Sequence, residues 1–337
     1  MKLQIIGPMM LLLVLNTIFT NILPVIGKDY VFEKRTFWNK LITPTSWCFR
    51  KECCTDTYIT PNITKLKEEF NKKVYGQPLV YEVLPKAINA HFENVPNKAL
   101  VLSFHGRTGG GKNFVSQIIA ESLFQKGMDS KFVHLFIPEL HFPHKHQITR
   151  YKDQLQNWIR GNMSTCPTQL FIFDEMQSLL PELLDVIKPF IDYYNHKING
   201  VDYRRAIFIF LSSTSGNNIT SVAFKAFKNG RKREDVTLRE FENGIRLSSY
   251  KHQGSGLWHS KLIEHHLISH FVPFLPLERQ HVRKCIQEEM RKRGMPKCPE
   301  TEDEVLEYLN FGPDEAPIYA AKGCKNIHEK LNLVSNW

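Results

Sequence analysis

The chain has 337 residues, 42% of them hydrophobic and 23% charged, a balance that excludes a disordered, collagenous or multi-span membrane protein and suits one large domain with a smaller partner. Forty-four Lys and Arg against 34 Asp and Glu leave a net charge of +10, which admits an anionic partner such as nucleic acid, a lipid headgroup or nucleotide phosphate. Seven cysteines exclude complete internal pairing, so at least one thiol stays free or bridges to another chain.

Lys2 precedes an apolar stretch from Leu3 to Ile26. It reads as a secretory signal (residues 1–27), or as an anchor if uncut, since with its flanks it is nearly long enough to span a bilayer. Residues 28–62 are short on periodicity and hold Cys48, Cys53 and Cys54, among which at most one bond can form. Three Asn-x-Ser/Thr sequons, at Asn62, Asn162 and Asn218, agree with a lumenal location, each being a weak signal alone. A helical pattern starts near Thr64 with Leu66, Phe70 and Val74 one turn apart, and resumes after Gly76-Gln77-Pro78.

Four apolar runs follow, at residues 99–104, 132–137, 170–173 and 206–211, with helical stretches between them at 114–125, 152–159 and 179–194. Strands without polar alternation, separated by helices, predict a parallel sheet covered on both faces. Past Phe271 to Leu277 the strand signals stop and the rest is mostly helical and charged. The expected boundaries are 63–270 for a large α/β domain and 271–337 for a small helical lid.

The strongest motif is Gly106-Arg107-Thr108-Gly109-Gly110-Gly111-Lys112-Asn113, directly after the first strand and before a helix. That is the setting of a P-loop, whose glycines let backbone N–H groups face phosphate oxygens while Lys112 reaches the β- and γ-phosphates. Asn113 stands where Ser or Thr usually offers a hydroxyl to Mg²⁺; an amide oxygen can face the cation directly or through water. Phe171-Ile172-Phe173-Asp174-Glu175 is a strand ending in two carboxylates. Asp174 is placed to hold Mg²⁺ and Glu175 to polarise the water that attacks ATP, and the Asp-Glu pair points to hydrolysis rather than kinase-type transfer.

Weaker signals accompany these. Ser213, at the end of the fourth strand, is either a γ-phosphate sensor or a turn residue. Lys325 in Gly323-Cys324-Lys325 is, on spacing alone, one surface lysine among many. His141-Phe142-Pro143-His144 lies where a pore-facing loop would sit, and His266 and His270 fall four apart on a predicted helix without a third metal ligand. Arg231-Lys232-Arg233 and Arg291-Lys292-Arg293 read as solvated helix ends rather than a nucleic-acid patch.

The P-loop with its terminal Asn, Phe171 to Met176, Tyr151 to Asn162, Phe271 to Leu277 and Gly323-Cys324-Lys325 together resemble the torsins. These are AAA+ ATPases of the endoplasmic reticulum lumen and nuclear envelope, related to the Clp/Hsp100 unfoldases, and the similarity runs from about Cys48 to the end. It implies an α/β P-loop AAA+ sheet with helices on both faces and a C-terminal helical lid, with ATP and Mg²⁺ as cofactors. It makes Lys325 a sensor-2 residue and pairs Cys285 with Cys324, so that lumenal redox state reaches the nucleotide sensor. It implies a missing arginine finger, supplied by the lumenal domain of a type II membrane activator, and weak ATPase activity without it. The expected output is chaperone-like remodelling of proteins or assemblies, without nucleic acid; a homo-oligomer and peripheral membrane association are both compatible. Two departures stand out: Ser213 replaces the family's Asn at the end of the sensor-1 strand, and only one apolar stretch precedes the body. Ser213 and Asn113 motivate an alternative, a nucleotide-gated scaffold with marginal hydrolysis.

Overall fold

The computed structural model describes residues 52–193, 197–253 and 256–334; the expected targeting segment and Cys48 lie outside the described residues. The chain divides into two compact units, residues 1–53 and 54–337, and the described helices and strands all belong to the second.

Five parallel strands form one sheet: β1 (Leu100–His105), β2 (Val133–Phe136), β3 (Leu170–Phe173), β4 (Ile207–Ser212) and β5 (His270–Pro273), in the order β2-β3-β4-β1-β5. The absence of polar alternation has a simple cause, because both faces are covered. Leu100, Leu102 and Phe104 point into one core layer with α1 (Ile63–Lys73), α2 (Pro78–Glu93) and α3 (Lys112–Leu123). Val101, Phe171, Phe173, Phe208 and Phe210 point into the other, beneath α4 (Ile148–Thr165), α5 (Gly216–Lys228) and α6 (Leu238–Lys251). Phe171 and Phe208 stack across neighbouring strands at 5.0 Å, and each fully buried aromatic contributes about 1.5–3 kcal/mol. Helix starts are written locally: the Asn62 side chain accepts from Lys65 N–H at 2.8 Å, and Thr237 and Glu240 form a capping box for α6.

Two expectations need correction. The helix expected over 179–194 is a chain of single turns, Pro181–Leu184, Asp185–Ile187 and Lys188–Ile191, because Pro181 and Pro189 each remove a backbone donor. The lid does not begin at 271: Phe271 to Pro273 are in β5, hydrogen-bonded beside β1, so the lid starts after Leu277. The pairing that the sequence leaves open for Cys54 is with Cys166, at the end of α4, 112 residues away. Closing a loop of that length contributes about 4–5 kcal/mol on chain-entropy grounds. Cys298 is a free thiol, as the odd count demands.

The lid packs α7 (Arg279–Lys292), α8 (Pro299–Glu307) and α9 (Ile327–Val334) around Val282, Ile286, Met290, Val305, Leu306 and Leu331. Arg233 ties it to the large domain. Its guanidinium donates to Gly76 O (2.6 Å), Pro276 O (2.6 Å) and Glu278 Oε1 (2.9 Å), and its side chain is only 8% exposed. Arg231, Arg291 and Arg293 are likewise paired, with Glu240, Glu288 and Glu289, so the arginines of both basic runs are engaged within the chain. Arg233→Ala leaves Glu278 and two carbonyls without their donor, and is expected to cost about 3 kcal/mol in urea denaturation. A loss below about 0.5 kcal/mol would class Arg233 as an ordinary surface residue.

Buried histidines set an acid limit on this fold. His105, at the end of β1, hydrogen-bonds Ser103 Oγ at 2.7 Å, and burial, aided by Lys112, pushes it down to about 3. Burial pushes His91 down to about 4. Both are neutral when folded, so below pH ~6.5 the unfolded chain binds more protons. Their contribution is complete above pH ~6.5 and drains as pH falls toward about 4, by up to ~1.4 kcal/mol per pH unit for each histidine. Denaturation midpoints at pH 7.5 and 5 should therefore differ, with the lower at pH 5; equal midpoints would contradict the assignment.

Candidate functional site

The P-loop leaves the central strand β1 and turns into α3. Gly109 and Gly111 take φ of +80° and +102°, left-handed values that favour glycine, and Gly111 caps α3 in that conformation. Lys112 is buried, and its Nζ donates to Gly106 O (2.7 Å) and Arg107 O (3.2 Å). Burial pushes its ammonium down to about 8, with Asp174 acting against the shift.

Asp174 and Glu175 come to the same place from the end of β3. Asn113 Nδ2 donates to Asp174 Oδ2, so the P-loop asparagine sits against the carboxylate expected to share its metal. Asp174 Oδ1 accepts from Glu175 N–H at 2.8 Å. Glu175 itself has φ +48°, a strained value for a non-glycine residue and of the kind that clusters at functional sites. A hydrogen bond to the Glu139 carboxyl holds Glu175 above the usual carboxylate range; burial and Asp174 act in the same sense and Lys325 against it. Glu139, bonded to Ser178 and Glu175, is held low. The two carboxyls thus share a hydrogen bond in which Glu175 holds a proton more readily than Glu139.

Ser213 N–H donates to Gln177 Oε1 at 3.3 Å, and Ser213 faces the same cavity as the loop and both acids. Lys325 reaches it from the lid. The turn that carries Lys325 meets the P-loop backbone to backbone: Cys324 N–H donates to Gly109 O at 3.2 Å, and a Cβ on Gly323 would lie 2.3 Å from that oxygen. Cys285 and Cys324 are disulfide-bonded, 39 residues apart, and both line the cavity.

The cavity measures about 920 Å³, within the range of cofactor sites. Val74, Tyr75 and Ile118 in its lining offer apolar surface to a base, and the loop offers backbone N–H groups and Lys112 to phosphates. Asp174, Glu175 and the Asn113 amide supply hard oxygen donors, the set that a hydrated Mg²⁺ takes. The residues therefore fit a Mg²⁺-nucleotide.

Sequence reasoning missed Gln77 and Glu139. Gln77, buried in the turn between α1 and α2, donates to Gly110 O (3.1 Å) and Leu275 O (2.9 Å) and accepts from Leu275 N–H (2.8 Å). It pins the P-loop to the strand exit; the Gly76-Gln77-Pro78 break was its only local sign. Other expected features are not at the site. Phe142 turns inward onto Phe136 and Tyr151, which argues against an aromatic pore loop there. His266 is in a turn at φ +53° and His270 begins β5, so they do not share a helix face, and among the described residues no group of three metal-ligating side chains forms. Of the sequons, Asn62 is exposed and Asn162 Nδ2 donates to Trp158 O. Asn218 is partly buried, with its Oδ1 against Gly244 of α6.

Residues 48–173 match the family model described as Torsin, and residues 277–333 match the Torsin-1A C-terminal domain. A "Torsin-like protein" of Caenorhabditis elegans is 39% identical over 311 residues, covering 91% of this chain and 86% of the relative. The chain belongs to the torsin family. Its structural neighbours give the fold: the S. cerevisiae Hsp104-ADP complex (TM-score 0.54, 15% identity, 81% of this torsin) and a closed-state Hsp104:ATPγS and FITC-casein reconstruction (0.54, 16%, 81%). The torsin spans less than half of either Hsp104 chain, 46% and 45%. By family this torsin is thus an AAA+ ATPase, and it shares its fold with both Hsp104 chains.

Proposed function

We propose that this torsin binds ATP with Mg²⁺ and hydrolyses it to ADP and phosphate in the endoplasmic reticulum lumen and the perinuclear space. Its output would be chaperone-like remodelling of proteins or assemblies. The observation that carries the reading is the convergence of three sequence-remote motifs, 106–113, 174–175 and 323–325, on one cavity. Backbone N–H groups of the loop and Lys112 bind the phosphates, Asp174 with Asn113 holds the metal, and Glu175 orients the attacking water as a base. Mg²⁺ neutralises phosphate charge when bound. Lys325 adds a cation from the lid, the 285–324 disulfide ties that cation's turn to α7, and the Cys324–Gly109 hydrogen bond sets the turn on the P-loop. Among the described residues no helix is long and apolar enough to cross a membrane.

Activity of the isolated chain is low in this reading, because the stabilising arginine comes from the lumenal domain of a type II membrane partner; such an arginine is worth about 10³–10⁵ in turnover in other NTPases. One observation favours the nucleotide-gated scaffold as a second reading: the Glu175 carboxyl is hydrogen-bonded to Glu139, a contact it must give up before it can orient water. Turnover measured with and without the activator's lumenal domain, under oxidising and reducing conditions, separates the two. Stimulation supports the ATPase; nucleotide binding with no stimulation in either condition supports the scaffold.

A further inference from the structure

Beside the nucleotide cavity lies a second, smaller pocket of about 340 Å³, lined by Arg107, Lys322, Lys325, Ser213, Asn217 and Asn326 among others. Thr108, Ser213, Lys325 and Asn326 line both spaces, so the pocket opens off the phosphate end rather than the base end. Three cationic residues, all solvent-exposed, line it and no carboxylate does. Among the described residues, Arg107, Lys322 and Lys325 make no ion pair, whereas arginines elsewhere, such as Arg204, Arg231, Arg233 and Arg283, are matched to carboxylates.

The backbone is shaped to keep Arg107 in place. A Cβ on Gly216 would lie 2.8 Å from Arg107 Cγ and 2.9 Å from its backbone nitrogen, so any side chain there would displace the arginine. The Lys322 and Lys325 turn is held against the P-loop by the Cys324–Gly109 hydrogen bond. Like charges lining one surface pocket without a counter-charge repel weakly through solvent, and a bound anion relieves that repulsion.

We propose that this pocket is a phosphate site, taking a tetrahedral oxyanion from the γ end of the nucleotide cavity, with Arg107 and Lys322 as side-chain ligands distinct from the P-loop's backbone cradle. The inference rests on the ATPase reading for the origin of its phosphate, but the site itself does not need turnover. The released γ-phosphate would pass Ser213 and Lys325 to reach it, and free inorganic phosphate would reach the same ligands from solvent.

The test is calorimetric titration of orthophosphate into the ADP-loaded full chain. Lys322→Glu and Arg107→Ala are each expected to weaken phosphate binding about tenfold or more, the loss of one charge-assisted contact, and Lys322→Ala to weaken it less. ADP affinity of the Lys322 variants should stay within about twofold of the parent, well inside the tenfold that 1.4 kcal/mol represents. Unchanged phosphate affinity in Lys322→Glu and Arg107→Ala, with unaltered melting, overturns the site. So does loss of phosphate binding in Lys112→Ala alone, which would place the anion in the nucleotide cradle. Single-turnover release read by a fluorescent phosphate sensor separates the sources. A changed release rate in Lys322→Ala supports the site with cleaved phosphate, and weakened titration with unchanged release supports it with free phosphate. If ADP itself fails to bind, the ATPase reading falls, and the same titration on nucleotide-free protein still decides the pocket.

Discussion

Replacing Glu175 with Gln is expected to lower activator-stimulated ATP turnover by about 10²–10⁴-fold, the usual worth of a positioned general base, while nucleotide affinity is kept. The separation follows from geometry. Glu175 lies at the strand end beside Asp174, whereas the groups that would hold phosphate, Lys112 and the loop, make their contacts through Gly106 and Arg107. A Gln retains the side-chain volume and the φ +48° backbone but cannot accept a proton. Turnover within about tenfold of the parent would remove Glu175 from the role of base. The same variant bears on the scaffold reading, since a protein trapped with ATP should then keep its cellular function, and a machine driven by hydrolysis should lose it.

Gly109→Ala is expected to weaken nucleotide binding by about a hundredfold, the counterpart of roughly 3 kcal/mol. Two costs add. The left-handed backbone at φ +80° costs an alanine about 1–2 kcal/mol. The new Cβ would also fall 1.8 Å from Lys322 O, and a backbone oxygen cannot swing aside as a side chain can, so the P-loop and the Lys325 turn must part. Gly111→Ala is the control, because a Cβ there meets nothing within 4 Å and only the backbone cost remains. Equal affinity losses in the two variants would show that contact between the turns contributes nothing. Fluorescent-nucleotide titration gives both values.

Much of this was legible along the chain. The strands at 100–105, 170–173 and 207–212 announced themselves because burial on both faces removes polar alternation. The P-loop and Asp174–Glu175 could be read because phosphate chemistry demands those residue types in a strand–loop–helix order. The 285–324 disulfide came only through family resemblance, since spacing says nothing about which thiols meet. The Cys54–Cys166 bond was invisible for the same reason: its halves are 112 residues apart, and only the packing of α4 beside the start of the chain's second unit brings them together.

By itself, the sequence determined the class of chemistry, a P-loop with an acidic strand end, because local backbone geometry and residue type suffice to write those motifs. Tertiary structure alone decided what surrounds them. Glu139 was an unremarked residue of a single helical turn until folding set its carboxyl against Glu175. Gln77 looked like part of a break until its amide was found bridging the P-loop and Leu275. Arg233 belonged to a basic run until burial matched it to Glu278 and two carbonyls. In each case the partner lies far along the chain or on another element, and hydrogen bonding and charge act over distances of a few ångströms in space, which no local pattern of residues encodes.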